Sequence, residues 1–215
     1  MKQATVFKRQ KRVLDPVIDA MEHDRRRYFD LKHKKNVVRV LPGDHYITDS
    51  KNEMIVTILG SCVAACIRDP ETGMGGMNHF MLPESSSGQW GAVSANMRYG
   101  NFAMETLINK ILKFGCPRER LEVKLFGGGN VIPGTIKVGD KNGQFALNYL
   151  EYEGLTPKTY DLGGTYARRI HYFPETGKVD RLFLKRTSDA MYLKEEREYN
   201  SRLPNEMGSG EIDLF

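Results

Sequence analysis

The chain has 215 residues, 40% hydrophobic and 27% charged, the proportions of an ordinary soluble protein. That length suits one domain with a sizeable core, no apolar run approaches the length of a membrane span, and the charged N-terminus has no apolar stretch behind it to make a secretory signal. The net charge of +5 is unevenly divided: residues 1–40 hold 12 Lys+Arg against 5 Asp+Glu, residues 41–187 hold 17 against 15, and residues 188–215 hold 3 against 7, so the basicity belongs to an N-terminal arm and argues against a nucleic-acid-binding domain.

Residues 1–35 form that arm. Val13, Leu14, Val17, Ile18 and Met21 recur at helical spacing, with Pro16 inside the pattern. Arg25-Arg26-Arg27 and Lys32-His33-Lys34-Lys35 read as a solvated arm or, more sharply, as a contact for an acidic protein partner. The main domain is expected over residues 36–187. Val37–Leu41 reads as a strand and Pro42-Gly43-Asp44-His45 as a turn. Met54–Leu59 is a short apolar, β-branched run, the signature of a buried strand, and Gly60-Ser61 lets the backbone turn sharply after it. Ala95–Phe114 is predicted as a helix with Met97, Met104, Leu107, Ile108, Ile111 and Leu112 on its apolar face, stopped by Gly115 and Pro117. Leu121–Phe126 alternates as a strand and runs into Gly127-Gly128-Gly129. Further strands are expected at Gln144–Leu150, Pro157–Leu162, Arg168–Phe173 and Val179–Leu184, the last two joined by a turn at Glu175–Lys178. Residues 188–215 form an acidic tail, with a short helix in its first half and a frayed end.

Three cysteines, at 62, 66 and 116, show no disulfide-scaffold spacing and point to a reducing, cytoplasmic setting. The run Thr57–Asp69, which holds Cys62, and the run Gly75–Pro83, which holds His79, look like the two arms of one hairpin. With the turn centred between Pro70 and Glu71, Cys66 faces Gly75 and Cys62 faces His79, which brings a thiol and an imidazole within reach. A one-residue slip would send His79 to the other face. Spacing alone leaves two readings open: a cysteine-nucleophile enzyme, or a small buried hydrophobe beside a bystander histidine. A metal site made from Cys62, Cys66, His79 and Cys116 lacks ligand spacing, and Cys66 and Cys116 read as core residues. The glycines at 127–129 lack the residues that complete a phosphate-binding or dinucleotide motif, so a close backbone approach to a neighbouring strand or to the site is expected of them.

Four motifs in order, Leu59-Gly60-Ser61-Cys62-Val63, Gly75-Gly76-Met77-Asn78-His79-Phe80-Met81-Leu82-Pro83, Lys124-Leu125-Phe126-Gly127-Gly128-Gly129 and Asp161-Leu162-Gly163-Gly164, resemble the CheD family of bacterial chemoreceptor glutamine deamidases. The resemblance runs from about Val37 to Lys185. It implies an α/β fold, a three-layer α/β/β sandwich with mixed sheets similar to toxin-type cysteine deamidases. It also implies a Cys-His-Thr catalytic set: Cys62 the nucleophile, His79 the general base, and Thr57 the third member. Thr57 fits across a one-residue gap, since some family members have one more residue between the threonine and the cysteine. Backbone N–H groups at Gly60 and Ser61 are candidate oxyanion donors. The implied activity is hydrolysis of glutamine side chains to glutamate through a Cys62 thioester, with glutamyl methyl ester hydrolysis open to the same machinery. The implied partners are the cytoplasmic helices of methyl-accepting chemoreceptors and, in some members, a CheC-type phosphatase, with no cofactor, metal, nucleic acid or membrane insertion. A non-enzymatic chemotaxis adaptor is the alternative, and a papain-like protease is a second enzymatic reading.

Overall fold

Strand β5 (Val63–Arg68) sets the architecture, because it is apolar on both faces. Its odd residues Val63, Ala65 and Ile67 join one core cluster, and its even residues Ala64 and Cys66 join another, together with Cys62 just before the strand. A strand buried on both sides must lie in a middle layer. The structure is a computed structural model, and it describes residues 26–82, 90–131, 137–184, 198, 199 and 201.

Two five-stranded mixed sheets make two of the three layers. Sheet A has the order β1 (Arg27–Asp30), β2 (Lys35–Arg39), β4 (Glu53–Leu59), β9 (Arg168–Phe173), β10 (Lys178–Phe183). Only β2 and β4 run parallel in it. Sheet B has the order β3 (His45–Thr48), β6 (Gly75–Asn78), β5, β7 (Glu122–Gly127), β8 (Pro157–Leu162), with only β7 and β8 parallel. The third layer is a pair of helices on the far face of sheet B, α1 (Trp90–Lys113) and α2 (Val138–Tyr152). Met104, Leu107, Ile108 and Ile111 of α1 and Ala146, Tyr149 and Leu150 of α2 pack on Val63, Ile67, Val123 and Leu125. Between the sheets, Ile55, Leu59, Ile170 and Tyr172 of sheet A meet Ala64, Cys66, Met77 and Phe126 of sheet B. Each Val, Leu, Ile, Met or Phe among them contributes about 1.5–3 kcal/mol when fully buried. The α/β/β layering is the one the sequence leads one to expect.

The strands at 54–59, 121–126, 157–162, 168–173 and 179–184 form within a residue or so of expectation, and the turn before Lys178 joins β9 to β10. The strand expected at Gln144–Leu150 is instead the second half of α2. Gly139, Asn142, Gly143, Ala146, Tyr149 and Leu150 are its buried face, a 3.6-residue period hidden by small and polar members. Met97 is half exposed and does not join the apolar face of α1. Strand β1, within the segment read as a solvated arm, forms the edge of sheet A. Arg26 pairs with Asp44 at 2.8 Å, and Arg27 reaches Glu53 at 3.3 Å and the Tyr46 hydroxyl at 3.2 Å. His45, read as the end of a turn, begins β3. The helix expected around Val13–Met21 lies outside the described residues, as does most of the tail, of which Glu198, Tyr199 and Ser201 are helical.

Candidate active site

The site lies in the inter-sheet core, at the end of β5 and β6 that faces sheet A. The β5–β6 hairpin pairs Cys66 with Met77, Ile67 with Gly76 and Arg68 with Gly75, and beyond the strands Val63 bridges Phe80. This register corrects the expected one by two residues. The connection is a six-residue loop from Asp69 to Met74, closed by Asp69 N–H to Met74 O at 2.8 Å and Gly73 N–H to Asp69 O at 2.9 Å, with the Asp69 carboxylate accepting from Glu71 N–H at 3.0 Å. Cys62 therefore does not stand opposite His79. A shift of two keeps both side chains on the same face, however, since side-chain direction alternates with period two. They are diagonal neighbours, with Cβ atoms about 7 Å apart or somewhat less.

His79 is held by its backbone and by its ring. Its N–H donates to Asp44 O at 2.9 Å, and its carbonyl accepts from Gly43 N–H at 2.8 Å. The ring Nδ1 lies 2.8 Å from Thr57 Oγ1, across from β4 of sheet A, and Thr57 Oγ1 donates its own proton to Val40 O at 2.8 Å. A hydroxyl has one proton to give, so the threonine oxygen accepts from Nδ1–H. Nε2 is thereby left as the unprotonated nitrogen. It is buried and has no hydrogen-bond partner among the described residues. Burial pushes the imidazole down to about 3, helped by Arg39 and opposed by the Val40 carbonyl, so the ring is neutral at physiological pH. A neutral imidazole with a fixed tautomer and an available Nε2 has the form of a general base.

Cys62 follows the Gly60-Ser61 bend and is fully buried. Three successive carbonyls of this bend are tied down. Gly60 O accepts from Gly129 N–H at 2.7 Å, Cys62 O accepts from Gly128 N–H at 2.7 Å, and Ser61 O accepts from Asn142 Nδ2 at 2.9 Å. A planar trans peptide sends its N–H opposite to its carbonyl, so the N–H of Ser61 points away from Gly129 and that of Cys62 points away from Asn142. Gly127 has φ +115° and Gly128 φ +64°, and a Cβ at Gly127 would overlap the Cys62 carbonyl oxygen. The close approach expected of the glycines is made, and it is made to the Cys62 bend. The second glycine motif supports the first: Gly163 N–H donates to Gly127 O at 3.0 Å and Gly164 O accepts from Asn130 N–H at 2.8 Å. Buried Arg168 braces that turn from Asp161 O at 2.6 Å and from Gly163 O.

Cys66 and Cys116 are core residues on opposite sides of sheet B, in the inter-sheet and helix-side clusters respectively. Burial pushes the Cys66 thiol far up, which makes it a poor nucleophile. The four residues weighed as metal ligands therefore do not converge, and among the described residues no three His, Cys, Asp or Glu side chains do.

Two buried asparagines escaped the sequence reading. Asn78 accepts from Ala65 N–H at 2.8 Å and donates to Ala103 O at 3.0 Å, tying β5 and β6 to α1. Asn142 on α2 accepts from Leu82 N–H at 2.9 Å while donating to Ser61 O. The signal for Asn142 was the helical recurrence of small residues from Gly139, which also lets α2 lie flush on the Gly128 turn.

A family model described as CheD chemotactic sensory transduction matches residues 81–181. Curated relatives extend the similarity over most of the chain. A probable chemoreceptor glutamine deamidase CheD of Rhodopseudomonas palustris (strain BisA53) is 50% identical over 190 residues, 88% of this chain and 89% of that protein. Its namesake in Thiobacillus denitrificans (strain ATCC 25259 / T1) is 46% identical over 190 residues, 87% of this chain and 94% of that one. That of Bordetella parapertussis is 54% identical over 156 residues, 72% of this chain and 73% of the relative. Among the described residues no helix is long and apolar enough to cross a membrane.

Proposed function

The chain belongs to the CheD family, and we propose from that membership and from the site's geometry that it hydrolyses glutamine side chains of chemoreceptors to glutamate, with Cys62 as nucleophile and His79 as base and acid. The observation that carries the reading is the Thr57–His79 pair: a buried imidazole whose Nδ1–H is held at 2.8 Å by Thr57 Oγ1, leaving an unprotonated Nε2 in the core that also holds Cys62.

In this reading His79 Nε2 takes the Cys62 proton, and the thiolate attacks the carboxamide carbon of glutamine. The carbonyl π electrons move to oxygen, and the backbone N–H groups of Ser61 and Cys62 are the candidate donors for that oxyanion. The C–N bond breaks as His79 returns its proton to nitrogen, ammonia leaves, and a glutamyl thioester remains. Water, losing a proton to Nε2, adds to the thioester; the C–S bond breaks, the proton returns to sulfur, and glutamate and free Cys62 result. Glutamine and water give glutamate and ammonia. A glutamyl methyl ester would follow the same path with methanol leaving. Thr57 holds the ring throughout, as the third member of a triad does.

Complete burial of Cys62 means that substrate must open a path to the thiol, and Nε2 and Sγ must close on each other as it enters. The same burial favours the second reading, an adaptor that binds receptors or a CheC-type phosphatase without turnover. Ammonia release from helical receptor fragments separates the two. One ammonia per converted glutamine, abolished in His79→Gln, supports the enzyme; binding without ammonia supports the adaptor, and new peptide termini would indicate a protease.

A further inference from the structure

The hairpin register places Ser61 opposite Leu82. Val63 and Phe80 exchange both backbone hydrogen bonds at 2.9 Å. In an antiparallel ladder the next such pair lies two residues further along each strand, which is Ser61 with Leu82. The bond that belongs there, Leu82 N–H to Ser61 O, is replaced. Leu82 N–H goes to Asn142 Oδ1 and Ser61 O accepts from Asn142 Nδ2, both at 2.9 Å. One side-chain amide, fully buried, has been inserted into the ladder with its donor and acceptor each taking the backbone group that the missing partner would have taken. The residue between Ser61 and the Val63 bridge is Cys62.

We propose that Asn142 is a positioning residue for Cys62, a wedge that holds the hairpin splayed at the nucleophile. It rests on the reading of Cys62 as nucleophile. A zipped ladder would continue the strand pairing through Cys62 and Met81 and press the thiol into the sheet. The inserted amide lengthens the connection between the two strands by a whole side chain and pairs both Leu82 N–H and Ser61 O, so neither of these two groups pays a desolvation cost in the open form. The wedge reaches this place because Gly139, one helical turn before Asn142, and Gly128 have no side chains to keep α2 off the turn. Asn78 does the corresponding work on the other side of the Val63–Phe80 bridge: Ala65, opposite Asn78 in the same register, gives its N–H to the Asn78 side chain at 2.8 Å. The strands are thus opened by an amide on either side of one bridge, and Cys62 and His79 lie one residue from that bridge.

Without Asn142, Ser61 O and Leu82 N–H either bond to each other and zip the strands or remain buried without partners. The test compares the full-length wild type with Asn142→Ala, and with Asn142→Ser, which keeps one of the two hydrogen bonds, in case the alanine variant does not fold. Two readouts are taken on protein shown to be folded by thermal melting. The first is kcat and KM for glutamine conversion in a receptor fragment. The second is the pH dependence of Cys62 alkylation by iodoacetamide, a small amide reagent, followed by peptide mapping with Cys66 as internal reference. The wedge predicts a kcat at least tenfold lower in Asn142→Ala with KM within about threefold, and an alkylation midpoint for Cys62 moved up by a pH unit or more. A folded variant with the wild-type kcat and alkylation profile would overturn it, as would a loss confined to KM or a Cys62 that iodoacetamide reaches in neither protein. If the wild type converts no glutamine, the functional reading fails, while the alkylation profile still decides the role of Asn142.

Discussion

Thr57 Oγ1 stands 2.8 Å from His79 Nδ1 and 2.8 Å from Val40 O, so a single hydroxyl on sheet A fixes the tautomer of a histidine carried by the extension of a strand of sheet B. The contact spans the two layers, and it makes the imidazole a neutral base with its free nitrogen in the core.

Replacing Thr57 by valine keeps the shape and removes the hydroxyl. Nδ1–H then loses its Thr57 acceptor and the Val40 carbonyl its Thr57 donor, at a cost of about 1–3 kcal/mol for whichever buried group is left unpaired. Turnover should fall on the order of 10²-fold, as when a general base is no longer oriented. Thr57→Ser, which keeps the oxygen, should stay within roughly fivefold of wild type if the hydroxyl is what matters. Steady-state kinetics of the two variants check this, and equal losses in both would show that the methyl group matters instead.

His79 also makes stability depend on pH. In the folded chain its imidazole is held down to about 3, whereas in the unfolded chain it titrates near the ordinary value of about 6.5. Between those values the unfolded state binds more protons. The contribution of His79 is therefore fully present above about pH 6.5 and is lost progressively as the pH falls towards 3. At about 1.4 kcal/mol per pH unit, roughly 2–3 kcal/mol should vanish between pH 7.5 and 4.5 on this account. Urea titrations at the two pH values should show a smaller loss for His79→Ala than for wild type by about that amount, and identical losses would contradict the assignment.

Gly127 and Gly115 separate steric need from conformational need. Both have positive φ, +115° and +84°, but a Cβ at Gly127 would overlap the Cys62 carbonyl whereas nothing lies within 4 Å of one at Gly115. Gly115→Ala should cost about 1 kcal/mol, the ordinary penalty for a left-handed alanine. Gly127→Ala should cost more than about 3 kcal/mol and disturb the Cys62 bend. Chemical denaturation of the pair measures the difference.

The strands were legible where hydrophobic pattern and turn chemistry agreed, as at β4, β8, β9 and β10. Helix α2 was not, because its buried face is built from Gly139, Asn142, Gly143 and Ala146, which carry little hydrophobic signal. The pairing of Cys62 with His79 missed by two residues because Asp69 and Gly73 build a longer loop than a two-residue turn. The family motifs led to Thr57 even so, since they specify which residues meet without specifying the register that brings them together. Asn142 carries no motif at all; its importance is visible only once the ladder is seen to break at Ser61 and Leu82.

The basic segment is more folded than its composition suggests. Residues 26–40 hold six Lys+Arg against one Asp, and they form β1, the turn after it and β2. Arg26, Arg27 and Lys35 have acidic partners within the domain, whereas Lys32 and Lys34 are exposed in the turn. If this edge docks on acidic receptor helices, Lys32→Glu/Lys34→Glu should weaken binding of a receptor fragment at low salt and flatten its salt dependence, with the melting temperature unchanged. Equal affinity and equal salt slope would remove the edge from the docking surface.

The central claim is that Cys62 turns receptor glutamines into glutamates. The direct measurement is mass spectrometry of chemoreceptor cytoplasmic fragments from the same organism after incubation with wild type or with Cys62→Ala. Wild type should add roughly one dalton at each converted glutamine without cutting the chain, and Cys62→Ala should add nothing. Conversion that persists in Cys62→Ala, or a wild type that binds the fragments and leaves every glutamine intact, would contradict it.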